Sequence, residues 1–228
     1  MKKLISVFTV LLLLFSSLTI SASAEGKIKI TEKSFLEYDA DDNAYFFAKV
    51  ENVGDEPIGL GSGKLVGFSD DDDIIVSESY VTSCPSYVLL QPGEFVYVRD
   101  SVWESNLKNS DVADYKISFE TRERGSELNL IPCETVFNFK GDFDNYIYVT
   151  FTNTSNDILY GAYVTVVLYD KEENLIYVDS NSYSSLGIHP ESTVTVKQYV
   201  DNDMLKYYST HHVEVEKAQA FVYISPDE

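Results

Sequence analysis

Positive charge is in short supply. Seventeen Lys and Arg residues stand against 37 Asp and Glu in 228 residues, a formal net charge of −20 at pH 7. A surface of that sign repels phosphate backbones and anionic lipid headgroups, which argues against nucleic acid and bare membrane as partners. Histidine is scarcer still: His189 sits in a Gly-Ile-His-Pro turn, and His211 and His212 precede the last apolar stretch. No G-x-S-x-G elbow accompanies them, so a nucleophile paired with an oriented base has no support. His212, Glu214 and Glu216 alternate, but neighbours on one strand face lie ~6–7 Å apart and no fourth ligand is near, so no metal is expected there. The acidic stretches DADDN (39–43) and SDDDD (69–73) put carboxylates at spacings that hard cations accept. Counted from Asp39, the sixth and twelfth positions are Ala44 and Val50, not the Gly and Glu of a calcium loop. Carboxylates spread this widely carry no specific glycosidase signal either. The chain reads as non-enzymatic, without cofactor or metal.

Long apolar runs are equally few. The only one is Leu4 to Ile20, after the basic start Met1-Lys2-Lys3 and before Ala22 and Ala24 in A-x-A spacing. That layout is a secretory signal cut after Ala24. Residues 1–24 are therefore expected to be removed and the protein to be secreted, in the extracellular space or at the cell surface. No later segment is long enough to cross a bilayer as a helix. Two cysteines, Cys84 and Cys133, remain after that cut. An even count in an exported chain points to a disulfide, which here would join the two halves and add ~4 kcal/mol by the loop-entropy argument.

Helical periodicity is the last shortage, with only 201–209 and 101–108 suited to a turn or two behind a capping residue. Period-2 alternation fills the rest. In NYIYVTFTN, Ile147, Val149 and Phe151 alternate with Tyr146, Tyr148 and Thr150. In STVTVKQYV, Val194, Val196 and Gln198 alternate with Thr193, Thr195 and Lys197. The 17 Tyr and 13 Phe suit a pleated, half-buried surface.

The pattern occurs twice. Residues 44–79 and 145–180 align without a gap, with Tyr45 on Tyr146, Asn52 on Asn153 and Val66 on Val167. LQPGEFVYV and IHPESTVTV then match across a three-residue difference, Pro92 on Pro190. Each copy holds six or seven expected strands, the make-up of an immunoglobulin-like sandwich. The expected architecture is all-β: one domain over 27–125, a linker over 126–135, and a second domain over 136–226.

In the second copy, Val166-x-Leu168-Tyr169-Asp170 followed by LIYVDS resembles the FxLYD domain family of exported bacterial proteins, with Val in place of Phe. The first copy departs further, with Leu65, Gly67, Phe68 and Ser69 at those positions. The resemblance implies a small β-sandwich and no catalytic residues. Read physically, Leu168 continues an inward face begun by Val164 and Val166, Tyr169 points outward, and Asp170 opens a turn by accepting backbone N–H groups.

Outward tyrosines are the candidate binding residues. If Ile147, Val149 and Phe151 face the core, Tyr146 and Tyr148 face away, and Tyr163 and Tyr169 do so on the next strand. Tyr177, after the turn, extends the same row. The expected role is an interaction or spacer module of the cell surface with a protein or glycan ligand. The alternative is a carbohydrate-binding protein that stacks sugars on this row.

Overall fold

The computed structural model describes residues 26–38, 43–103, 112–127, 129–139, 145–183 and 185–224. Residues 1–24, expected as a signal segment, residues 39–42 of the first acidic stretch and most of 101–108 lie outside them. The fold is all-β. The strands are β1 Ile28–Tyr38, β2 Asn43–Asn52, β3 Ile58–Phe68, β4 Ile74–Val81, β5 Ser83–Cys84, β6 Val88–Leu90, β7 Phe95–Trp103, and β8 Asp114–Arg122. They continue with β9 Ser126–Glu127, β10 Asn129–Ile131, β11 Cys133–Asn138, β12 Tyr146–Thr152, β13 Ala162–Asp170, β14 Leu175–Tyr183, β15 Thr193–Tyr199 and β16 Val215–Ile224. A single helix among the described residues, α1 (Asn202–Thr210), precedes β16. The side chain of Asp201 caps it by accepting from the N–H of Asp203 at 2.9 Å. Its buried residues Met204 and Tyr208 hold it down, and the Tyr208 hydroxyl donates to the carbonyl of Ile176 at 2.6 Å.

Four sheets result. Sheet I runs β1-β2-β7-β5; sheet II joins β8, β3 and β4, with β6 and β9 along one end; sheet III runs β10-β16-β13-β14; sheet IV runs β11-β12-β15. Ala44, Phe46, Ala48, Val50, Leu60, Leu65, Val96 and Val98 form one core, drawn from sheets I and II. Ile147, Val149, Phe151, Val164, Val166, Leu168, Val196 and Val222 form the other, drawn from sheets III and IV. The inward positions read from alternation in β12 and β13 are buried, as are Val196 and Gln198 in β15, while β13 also buries Thr165 and Val167 on its other side. Residues 126–135, expected as a linker, are mostly strand instead: β9 pairs with β6 and β10 with β16, so the crossing falls between Glu127 and Asn129. Backbone groups that would be solvated in a free linker are paired with a neighbouring strand.

The internal repeat is a structural repeat. Buried Asn52 donates through Nδ2 to the carbonyls of Glu56 (2.8 Å) and Leu90 (3.0 Å) and accepts at Oδ1 from the N–H of Gly54 (3.0 Å). Asn153 makes the same three bonds, to Asp157 (2.8 Å), Ile188 (2.8 Å) and from Ser155 (2.9 Å). The two charged turns also coincide. The N–H of Ser69 reaches the Asp73 carbonyl at 2.9 Å, and that of Asp170 reaches the Asn174 carbonyl at 3.1 Å. Asp72 and Glu173 both adopt left-handed backbone, φ 64° and 63°. Asp170 does open its turn, accepting at Oδ1 from Glu172 (3.0 Å) and Asn174 (2.8 Å). Further along, Gly93 (φ 81°) and Glu191 (φ 59°) mark the same corner, their N–H groups reaching the carbonyls of Asn52 and Asn153, and only Gly adopts that backbone without steric cost.

Candidate functional site

Outward residues of sheet I are not solvent-facing. Tyr45, Phe47, Lys49, Phe95, Tyr97 and Arg99 lie on the side away from the first core, because their strand neighbours fill it. Phe47 and Tyr97 belong to the second core. The ring of Phe47 lies 5.9 Å from that of Tyr177, and the Phe95 and Tyr97 rings lie 5.3 and 5.2 Å from that of Phe221. Burying aromatics of this size contributes roughly 1.5–3 kcal/mol each.

Polar groups cross the same contact in two places. Arg99 pairs with Asp179 and lies over the rings of Tyr45 (5.4 Å) and Tyr177 (5.8 Å). The hydroxyls of Tyr97 and Tyr169 meet at 3.0 Å, the Tyr169 hydroxyl donates to Glu32 Oε2 at 2.9 Å, and Lys49 reaches Glu32 Oε1 at 3.3 Å. Burial drives the pKa of Tyr97, Tyr169 and Tyr177 upward, so all three are neutral hydrogen-bonding groups here. Beside them the hydroxyl of Thr165 donates to the Cys84 carbonyl at 3.2 Å.

The single outward tyrosine row is therefore corrected. Tyr169 is buried because sheet I covers that side of β13, whereas Tyr177, with 1% of its surface accessible, stands opposite Leu168 and so lies on the inward side of β14, not in the outward row. Tyr163, on the same side of β13 as Tyr169, is half-buried opposite Tyr223. Tyr146 and Tyr148 are on β12 in a different sheet and share no surface with the others. Alternation along a strand gives the side of a residue; it does not say what lies on that side.

Sheet IV keeps its outward face open. Val136, Tyr148 and Lys197 stand directly opposite one another across β11, β12 and β15, with Tyr146 opposite Tyr199 in the adjoining row. Tyr148 is 42% exposed, and Val136 and Tyr199 are exposed as well. Lys197 Nζ sits 3.3 Å from the centroid of the Tyr146 ring, which lies 5.6 Å from that of Tyr199. The remaining rows are threonine pairs, Thr150 with Thr195 (2.9 Å) and Thr152 with Thr193 (2.8 Å). Val136, Lys197 and Tyr199 were not singled out in the sequence. Alternation of STVTVKQYV marked Lys197 as outward, but the three-strand register that gathers these side chains is tertiary.

The expected Cys84–Cys133 bridge is not made: both are free thiols. Each is engaged elsewhere. Cys133 Sγ donates to the Ala220 carbonyl at 3.2 Å, while Cys84 lies on β5 against β7, where burial pushes its thiol up to about 11. His211 stacks on Tyr207 at 4.0 Å beyond the end of α1, and His212 follows in the turn before β16. No His, Cys, Asp or Glu cluster among the described residues has the make-up of a metal site. Asp100, facing inward between Val98 and Val102, is held up to about 6, chiefly by burial and further by Glu78. A groove of about 650 Å³ opens between β11, α1 and β16, lined by Phe137, Phe139, Leu205, Lys206, Tyr208 and Val215.

No family model matches this chain, and no curated protein matches it in sequence.

Proposed function

We propose that this is an exported, non-enzymatic interaction module of the cell surface or extracellular space. Its halves are two tandem immunoglobulin-like sandwich domains, the second of the FxLYD kind. The observation that carries the reading is the outward face of sheet IV, with Val136, Tyr148 and Tyr199 exposed around Lys197. Its counterpart on sheet I already serves as a contact surface inside the molecule. Tyr offers large apolar area with a polar tip, at low entropic cost, which is what interface centres use. Tight docking of sheet I on sheet III makes the first domain a fixed spacer rather than a loosely tethered neighbour.

Carbohydrate binding is the second reading, and the threonine rows favour it. Hydroxyls beside stacked tyrosines match a sugar ring, which presents an apolar face and a polar edge. The test is retention of residues 25–228 by purified wall polysaccharides and by surface-protein extracts, compared with a Tyr148→Ala, Tyr199→Ala variant. Unchanged retention by a folded variant removes the face from the proposal.

A further inference from the structure

Sheet IV is open along one side as well as across its face. Strand β15 is its edge, and among the described residues no strand pairs with it beyond β12. The N–H of Val200 reaches the Asn145 carbonyl at 2.8 Å, and that of Asn153 reaches the Ser192 carbonyl at 3.0 Å. Even-numbered residues between them therefore turn their backbone groups to β12, because an antiparallel ladder alternates. Thr193, Thr195, Lys197 and Tyr199 turn their N–H and carbonyl groups to the open side. Sheet I covers the edge strand β14, and bulges interrupt β1 and β4, whereas β15 runs beside β12 for seven residues without one.

In the first half of the chain the same side of the matching strand is filled. Phe47 stands opposite Arg99 as Tyr148 stands opposite Lys197, so Tyr97 and Val98 of β7 correspond to Thr195 and Val196 of β15. There β5 pairs antiparallel with β7, Ser83 opposite Val98 and Cys84 opposite Tyr97. The second half has no such strand among the described residues, and the sequence carries the reason. Leu90 pairs with Ile58 and Ile188 with Leu159, the same contact in both halves. The stretch from Ser180 to Ile188 is three residues shorter than that from Ser79 to Leu90. The shortening falls where the first copy forms β5, and it leaves β15 without that neighbour.

We propose that β15 receives an extended segment of a partner protein as a further antiparallel strand of sheet IV. Backbone groups that alternate donor and acceptor at the spacing of a strand suit a polypeptide, not a sugar or a lipid. The orientation and the side chains follow from β5. The residue opposite Val196 takes the place of Ser83, which is buried, and so is small. The residue opposite Lys197 stands on the outward side of the sheet, beside an exposed cation on a strand with no acidic residue, and is a carboxylate. The site adjoins the outward face of sheet IV and does not depend on binding by that face.

The probe is a synthetic peptide of residues 79–84 carrying Cys84→Ser, which places Ser83 opposite Val196 and Thr82 opposite Lys197. Nuclear magnetic resonance of labelled residues 25–228 should show shifts along β15 at ~1 mM peptide. Amide exchange at Thr195, Lys197 and Tyr199 should slow at the same time. A Thr82→Asp form of the peptide should bind about threefold more tightly, and Lys197→Glu should reverse that order. Thr195→Pro removes an outward donor and no bond to β12, and should weaken binding about tenfold with circular dichroism unchanged. Tyr148→Ala should leave binding as it was, so the edge and the outward face of sheet IV stand or fall separately. Absence of shifts along β15, undiminished binding by folded Thr195→Pro, or a peptide order unmoved by Lys197→Glu overturns the assignment. So does protection of those N–H groups without peptide; where it grows with protein concentration, a second copy occupies the edge instead.

Discussion

Asn52 and Asn153 show how single side chains set this fold. Each is fully buried at the end of its strand, and each donates to two main-chain carbonyls and accepts from one N–H. Replacing Asn153 by Ala leaves the Asp157 and Ile188 carbonyls without that donor in the interior. The Leu159 N–H still reaches the Ile188 carbonyl and the Ser155 hydroxyl the Asp157 carbonyl, so Asn153→Ala should lose about 1–3 kcal/mol in urea denaturation, the range for lost hydrogen bonds to partly satisfied buried groups. A loss below about 0.5 kcal/mol would mean that solvent reaches those carbonyls. Asp100 acts in the opposite sense. Burial and the nearby Glu78 raise its folded pKa to about 6 from the ordinary 3.8, so the folded state holds the proton more tightly than the unfolded state. Its stabilising contribution is complete below pH 3.8 and is lost as pH rises through about 6. Asp100→Asn should flatten the stability profile between about pH 4 and pH 6 and raise stability at pH 7 by on the order of 2 kcal/mol. Equal slopes in the two proteins would contradict it. Cys84, with its thiol at about 11, should react with a disulfide reagent at pH 8 at least about tenfold more slowly than unfolded chain.

Among elements, β14 is the one on which the two halves depend. It is the edge strand of sheet III, and sheet I lies across it. An edge strand left open exposes a row of unpaired backbone groups, and covering it is one way to blunt that hazard. Arg99 and Asp179 form the polar centre of this cover. A double-mutant cycle on Arg99→Ala and Asp179→Ala should show a coupling of about 1–3 kcal/mol in unfolding free energy. Independence of the two substitutions would show that the pair adds nothing beyond packing. Much at this scale was legible beforehand. Inward residues of β12, β13 and β15, the turn opened by Asp170, and the cap of α1 all follow from local pattern, because pleat, turn and cap are short-range geometry. The strands of 126–135 were not legible: β9 and β10 hold two and three residues, too few for alternation to register, and distant partners fix them.

At the scale of the whole molecule, the second core is not self-sufficient. Phe47 and Tyr97 complete it from the first half of the chain. A fragment of residues 129–228 should therefore expose Tyr169, Tyr177 and Phe221, bind a hydrophobic dye that the longer protein does not bind, and unfold at lower temperature than residues 25–228. Identical melting of fragment and longer chain would show that the contact between halves adds no stability. By itself the sequence determined the all-β class, the duplication, the charged turns and the inward side of β12, β13 and β15. These depend on period-2 geometry, turn chemistry and a repeat that can be seen in the letters. Tertiary structure alone decided which outward surfaces stay outward. Tyr146 and Tyr148 keep an open face while Tyr169 loses its own, although all three occupy outward positions. The difference is the placement of sheet I against β14, a packing of residues up to 137 positions apart. No local period records which of two like faces will be covered, because that choice belongs to surfaces that meet only after both cores have formed.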